Sequence, residues 1–235
     1  MARARRLVCA FAPALAAILA VAAAGGAGAA GEDLSQDMAQ DMAQGSPQAP
    51  VTVIEYASPT CPHCAHFEAD VFPAFKAKYI DTGKVRYVLR EAPIHPDLDA
   101  AAFLLARCAG PAGYFNVIEG VMKGQDEYFS AFLTQSPNAE QEIADAFRTV
   151  LRRVGKSAGL DETHISACLR DETSIRALQD RVNREMAQYQ VDSTPTFVIN
   201  GVKLNPPLGR EVDLATLDKA IAPALGKPVR HAKRR

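Results

Sequence analysis

"VTVIEYASPTCPHC", residues 51–64, narrows most what this chain can fold into. Residues 51–58 are β-branched and aromatic with one acid, Glu55, inside them, the pattern of a buried strand. Pro59 and Thr60 punctuate it, and Cys61 and Cys64 follow with Pro62 and His63 between them. From 62 to 79, Phe67, Val71, Phe72 and Phe75 recur at helical spacing, with Pro73 expected to kink the helix. Cys61 therefore falls where a strand turns into a helix. Unpaired N–H groups and the helix dipole favour an anion there, and Pro62 suits a first turn that needs no N–H.

That position matters because only the thiolate attacks a disulfide. His63 can donate a hydrogen bond or carry positive charge beside the Cys61 sulfur. Cys64, one turn on, is placed to resolve a mixed disulfide and is expected to be the more buried and less nucleophilic thiol. Glu55 reads as a buried proton acceptor with a raised pKa that helps deprotonate Cys64, against the plainer reading of a strand-end acid reaching water or a lysine. Cys61, His63, Cys64 and His66 are also copper or zinc ligand types. A structural zinc site usually draws a second ligand pair from elsewhere, whereas Cys108 and Cys168 stand alone. No metal and no prosthetic group is expected. A purely structural Cys61–Cys64 staple closes too small a loop to remove much chain entropy.

The N-terminus reads as an export signal. Arg3, Arg5 and Arg6 precede an uncharged apolar run, 7–24, and small residues continue to Ala30, so 1–30 is expected to be cleaved, leaving about 205 residues. An uncleaved anchor is the alternative, since about 18 apolar residues just span a bilayer. Losing those three arginines takes the net charge from −1 to −4, which gives no argument for nucleic acid. Without Cys9, four of the five cysteines remain, and an even number in an oxidising compartment suggests pairs, with three connectivities open. Residues 31–48 are polar with a near-repeat of "QDMA" and read as a flexible linker; 227–235 is a short basic tail.

Beyond 64, residues 84–93 read as a second strand. Helices are expected over 97–108, 114–123, 140–154, 161–169 and 174–189. His66 and His164 read as helix surface and His95 as the mark of a helix start. "STPTFVINGVKLN" follows: a strand, an Asn-Gly hairpin signal and its return, before a closing helix over 213–221. Pro195 either simply opens its strand or forms a cis Thr194–Pro195 bond beside the sulfurs. A cis bond would offer the Thr194 backbone to an extended substrate. Two β-containing halves around one sheet with helices between them make a mixed α/β domain.

Strand, CPHC, helix, strand, helical insert, "TPTFVING", helix resembles the thioredoxin fold and, more narrowly, the DsbA-type periplasmic thiol:disulfide oxidoreductases. The resemblance spans roughly 49–224. It implies a thioredoxin-like fold with a helical insertion, about 97–190, between the strand-helix-strand half and the hairpin-helix half of a domain over 49–226. It implies Cys61 as nucleophile, Cys64 as resolving cysteine, His63 as thiolate stabiliser, Glu55 as buried acid, and Thr194 and Pro195 as substrate-binding residues around a cis-proline. The implied partners are unfolded or partly folded exported proteins with free cysteines and a DsbB-like membrane reoxidant; the implied place is the periplasm or outside the cell. Thr194 before the proline also resembles the disulfide isomerases, so an isomerase or reductase stands as the alternative, with a copper or zinc carrier as the alternative from another class. In an oxidising compartment Cys108 and Cys168 are expected to form a structural disulfide within the insert.

Overall fold

The computed structural model describes residues 41–205 and 211–226; the expected signal peptide, the first part of the linker and the basic tail lie outside the described residues. Five strands form one sheet in the order β1-β3-β2-β4-β5: β1 (Met42–Gln44), β2 (Val51–Ala57), β3 (Val85–Glu91), β4 (Thr196–Ile199) and β5 (Val202–Lys203). β2 and β3 are parallel, with 62–80 crossing between them as one helix, α1, built of four abutting segments. β1, β4 and β5 join antiparallel. The Asn-Gly signal is the β4–β5 turn, where Asn200 and Gly201 take φ of 47° and 83°; glycine suits the second, left-handed position.

Between β3 and β4 lie α2 (Pro96–Cys108), α3 (Gly110–Lys123), α4 (Gln125–Leu133), α5 (Ala139–Ser157), α6 (Glu162–Cys168) and α7 (Glu172–Gln188), and α8 (Leu214–Leu225) follows the hairpin. α4 is additional to the helices expected from sequence. α3 begins at Gly110 rather than near 114, because Pro111 sits in its first turn, where proline costs no hydrogen bond. α1 has π-helical turns at Phe67–Val71 and Lys76–Ile80, flanking the segment that holds Pro73, so the ladder loosens around the proline instead of breaking.

Strand parity decides what the site rests on. Val51, Val53 and Ala57 of β2 face the large core with Phe67, Phe72 and Phe75 of α1 and with Leu217 and Ile221. Ile54 and Tyr56 face a smaller cluster with Val88, Val198 and the partly buried Met186 of α7. Glu55 shares the parity of Val53 and therefore projects beneath α1.

The linker expectation for 31–48 needs correction at its end. Residues 42–44 are a strand paired with β3, and Met42 is buried. Local composition hid this because the anchor is tertiary. Asp41 meets Arg90 of β3 at 3.3 Å and Arg181 of α7 at 3.0 Å. Arg181 in turn reaches Glu91, which also binds Arg107 and the Tyr114 hydroxyl. Alternating charges thus tie β1, the end of β3 and the helical insert into one buried network. Cys108 and Cys168 are disulfide-bonded, joining the ends of α2 and α6.

α3 and α5 pack closely at Gly120, where an added Cβ would meet Val154 Cγ1 at 2.6 Å. Val154 is stiff at χ1 and nearly buried, so it cannot swing aside. Gly120→Ala is expected to cost about 2 kcal/mol despite alanine's better helix propensity, as read by urea denaturation. An unchanged or raised midpoint would show that the interface yields.

Candidate active site: a dithiol at the head of α1

The turn that ends β2 is shaped before either cysteine is reached. Ser58, Thr60 and Asp99 are fully buried. The Asp99 carboxylate accepts from Ser58 Oγ at 2.9 Å, Thr60 N at 3.1 Å and Thr60 Oγ1 at 2.9 Å. It also accepts from the Ile94 and His95 backbone N–H groups at 2.8 and 2.9 Å. One side chain thus fixes both the turn before Cys61 and the loop before α2. His95 stands at the N-cap position of α2, marking the helix start as expected; its side chain bonds not to the helix but toward Thr60, with Nδ1 2.8 Å from Thr60 Oγ1. From α4, Gln125 Nε2 donates to the Pro59 and Cys61 carbonyls at 2.9 and 3.0 Å. These partners satisfy backbone groups that would otherwise be buried and bare.

Cys61 is the N-cap residue of α1, in extended conformation, with Pro62 next. As a thiolate its sulfur is favoured by the Cys64 thiol and by the backbone N–H groups of His63 and Cys64 at the head of the helix. When protonated it donates to the Thr194 carbonyl at 3.4 Å. Stabilisation of the anion, by the Cys64 thiol first and also by the backbone N–H groups of Cys64 and His63, outweighs burial and pulls the Cys61 pKa down to about 5, whereas the bond to the Thr194 carbonyl belongs to the thiol alone. Cys64 is fully buried; burial first, then its bond to Cys61, push its thiol well above the ordinary value. Two cysteines three residues apart therefore have opposite characters, one poised as an anion and the other held as a thiol.

Glu55 is buried and accepts from the Tyr87 hydroxyl at 2.7 Å. Burial pushes its pKa up to about 8, and the nearby charges of Glu68 and Cys61 add to this. Glu55 in turn is among the charges that raise Cys64. Thr194–Pro195 is cis, and its carbonyl faces Cys61, so Cys61, Cys64, Glu55 and Thr194 share one place. The Thr194 hydroxyl is buried without a hydrogen-bond partner among the described residues.

His63 is mostly exposed, with Nδ1 2.6 Å from Glu211 Oε1. That bond first, and then the Cys61 charge, raise its pKa above the usual imidazole range. His66 is exposed as expected but not idle, since it shares Glu211 and also meets Asp70. Among the described residues no three His, Cys, Asp or Glu side chains group as a metal site.

Sequence reasoning missed Asp99, Gln125 and Glu211. A signal existed for the first: Pro96 followed by acids in the opening turn of α2 is a capping pattern. Gln125 and Glu211 carry none, because their partners are 64 and 148 residues away.

A central sheet of this order, a dithiol heading the crossover helix and a cis-proline opposite it define a thioredoxin-like fold of the DsbA type. A family model described as thioredoxin matches residues 37–221, and the chain belongs to that family. It is similar to a Rickettsia bellii protein provisionally named a protein-disulfide oxidoreductase, 32% identical over 184 residues, covering 78% of this chain. The chain spans 65% of that relative's length. Among solved structures, alpha-DsbA1 of Wolbachia pipientis is 28% identical, with a TM-score of 0.67 over 80% of this chain and 92% of that one. A protein-disulfide isomerase of Novosphingobium aromaticivorans is 25% identical, with a TM-score of 0.64 over 80% and 99% of the two chains.

Proposed function

We propose that this chain is an exported thiol:disulfide oxidoreductase that introduces disulfides into secreted proteins. The observation that carries the reading is the placement of the two thiols: Cys61 at the head of α1, where it is pulled down to about 5, facing the cis Thr194–Pro195 bond, and Cys64 fully buried behind it, where it is pushed up. A stabilised thiolate makes the reduced form comfortable and the disulfide a strong electron acceptor. A substrate thiolate attacks Cys61 Sγ of the Cys61–Cys64 disulfide, and Cys64 leaves with the electron pair. Glu55, protonated at neutral pH, gives the leaving sulfur its proton. A second substrate thiolate then attacks the substrate sulfur of the mixed disulfide. Cys61 departs as a stable thiolate, and two electrons have passed to the enzyme. The Thr194 backbone at the cis bond aligns the extended substrate, and Pro195 holds that edge. A DsbB-like membrane partner takes the electrons away, and the leader at 1–30 directs export.

Isomerase or reductase action is the second reading, favoured by Thr194 before the proline and by the likeness to the Novosphingobium isomerase. Equilibration of the purified dithiol with glutathione separates them. A potential nearer about −120 mV than about −270 mV, with oxidation of a reduced peptide faster than rescue of a scrambled protein, is the expected result. A potential near −270 mV would reverse the assignment. The carrier reading would need stoichiometric copper or zinc in the purified protein.

A further inference from the structure

Glu211 stands just before α8, far in sequence from the dithiol. Its position is fixed from the C-terminal side: Val212 is buried, and the Asp213 carboxylate caps α8 by accepting from Thr216 N at 2.8 Å. From there the Glu211 carboxylate spans two histidines of α1. Oε1 is 2.6 Å from His63 Nδ1, and Oε2 is 3.2 Å from His66 Nε2. A carboxylate only accepts, so His63 Nδ1 carries a hydrogen. His66 is held from its other side by Asp70, at 2.9 Å.

We propose that Glu211 is a positioning residue of the exchange site, holding His63 in its charged form and fixed orientation beside the Cys61 sulfur. The inference rests on the exchange function proposed above. Exposed ion pairs contribute little to folding, so the consequence of this one lies in the thiolate it acts on through His63. The groups facing His63 are Glu211 and Cys61; those facing Cys61 are Cys64, Thr194 and the α1 N–H groups. Glu211 and the Cys61 anion both favour the imidazolium, so together they extend upward the pH range in which the sulfur has a positive neighbour. Above that range His63 turns neutral, and the reactivity of Cys61 shows a second inflection beyond its own.

The test uses the reduced full chain with Glu211→Gln and Glu211→Asp. His63 ring signals are followed by NMR against pH, and Cys61 alkylation rates are measured in parallel. In Glu211→Gln the His63 midpoint is expected to fall by about half a pH unit, as befits an exposed pair. The upper inflection of the alkylation profile should move down with it, and Glu211→Asp should restore most of both. A His63 midpoint that does not move overturns the proposal. So does a His63 shift that leaves the alkylation profile in place, and that result leaves the exchange function standing. A native Cys61 that titrates like free cysteine, near about 8.5, overturns both.

Discussion

Raising the pH from 5 to 8 is expected to stabilise the reduced protein over the oxidised one by about 4 kcal/mol. Cys61 titrates near 5 in the folded protein against an ordinary value of 9.0. Its pKa is depressed on folding, so its contribution is complete above 9.0 and disappears as the pH falls through 5. Between those limits each pH unit adds about 1.4 kcal/mol, since the unfolded thiol holds a proton that the folded one has released. Only the reduced form has this term. The oxidised form has a compensating one: its four-residue loop, though it constrains the unfolded chain less than a long loop would, still contributes about 2 kcal/mol, independent of pH. The two forms should therefore cross in stability between about pH 6 and 7, with the oxidised form ahead on the acid side. Cys64, held well above 9.0, stays out of this window. Urea unfolding of both redox forms across the range measures the gap. Cys61→Ser should flatten it and abolish exchange, whereas Cys64→Ser should keep a reactive Cys61 that accumulates mixed disulfides. A pH-independent gap would mean that the head of α1 does not stabilise an anion.

How far this site could be read from sequence depends on the reach of each interaction. Strand β2, the Cys61 position at a helix start, the β4–β5 turn and the amphipathic faces of α5 and α7 are all encoded within a few residues. Periodicity and turn chemistry expose them. Glu55 was legible for a different reason: an acid among Val53, Ile54 and Tyr56 breaks the strand pattern, which makes it conspicuous. The features that escaped are held from far away. Strand β1 looks like linker because its hold is Asp41 on Arg90 and Arg181, 49 and 140 residues distant. Gln125 looks like a helix-surface amide but is buried against the turn before Cys61. Asp99 looks like an ordinary first-turn acid, yet it organises both loops beside the site. A polar residue at a place where the pattern expects one gives no sign of its partner, and the support for the two sulfurs is made almost wholly of such residues.

Glu55→Gln is expected to stabilise the protein at pH 7 by about 3 kcal/mol while slowing its chemistry. Glu55 has a pKa of about 8 in the fold against an ordinary 4.5, and burial is the main cause. Its pKa is raised on folding, so the stability linked to it is complete below 4.5 and lost as the pH rises through 8. At pH 7 the folded chain must hold a proton that the unfolded chain has released. Glutamine fills the same space, accepts from the Tyr87 hydroxyl and has no proton to lose. The advantage of the variant should therefore be small near pH 4.5 and grow by about 1.4 kcal/mol per unit up to pH 8. The oxidised form is the one to measure, because Cys61 and Cys64 do not titrate there. The same substitution removes the group proposed above to exchange a proton with Cys64. Turnover at pH 7 should fall between about ten- and a hundredfold, while alkylation of Cys61, which needs no such proton, changes far less. A variant that gains stability but keeps full turnover would leave Glu55 as a buried acid without a part in exchange. One that gains none would show that the carboxyl finds water in the fold and ionises freely. Only the combination of a stability gain that grows with pH and a rate loss confined to the Cys64 step identifies a group kept buried, at a cost to the fold, for the proton it carries.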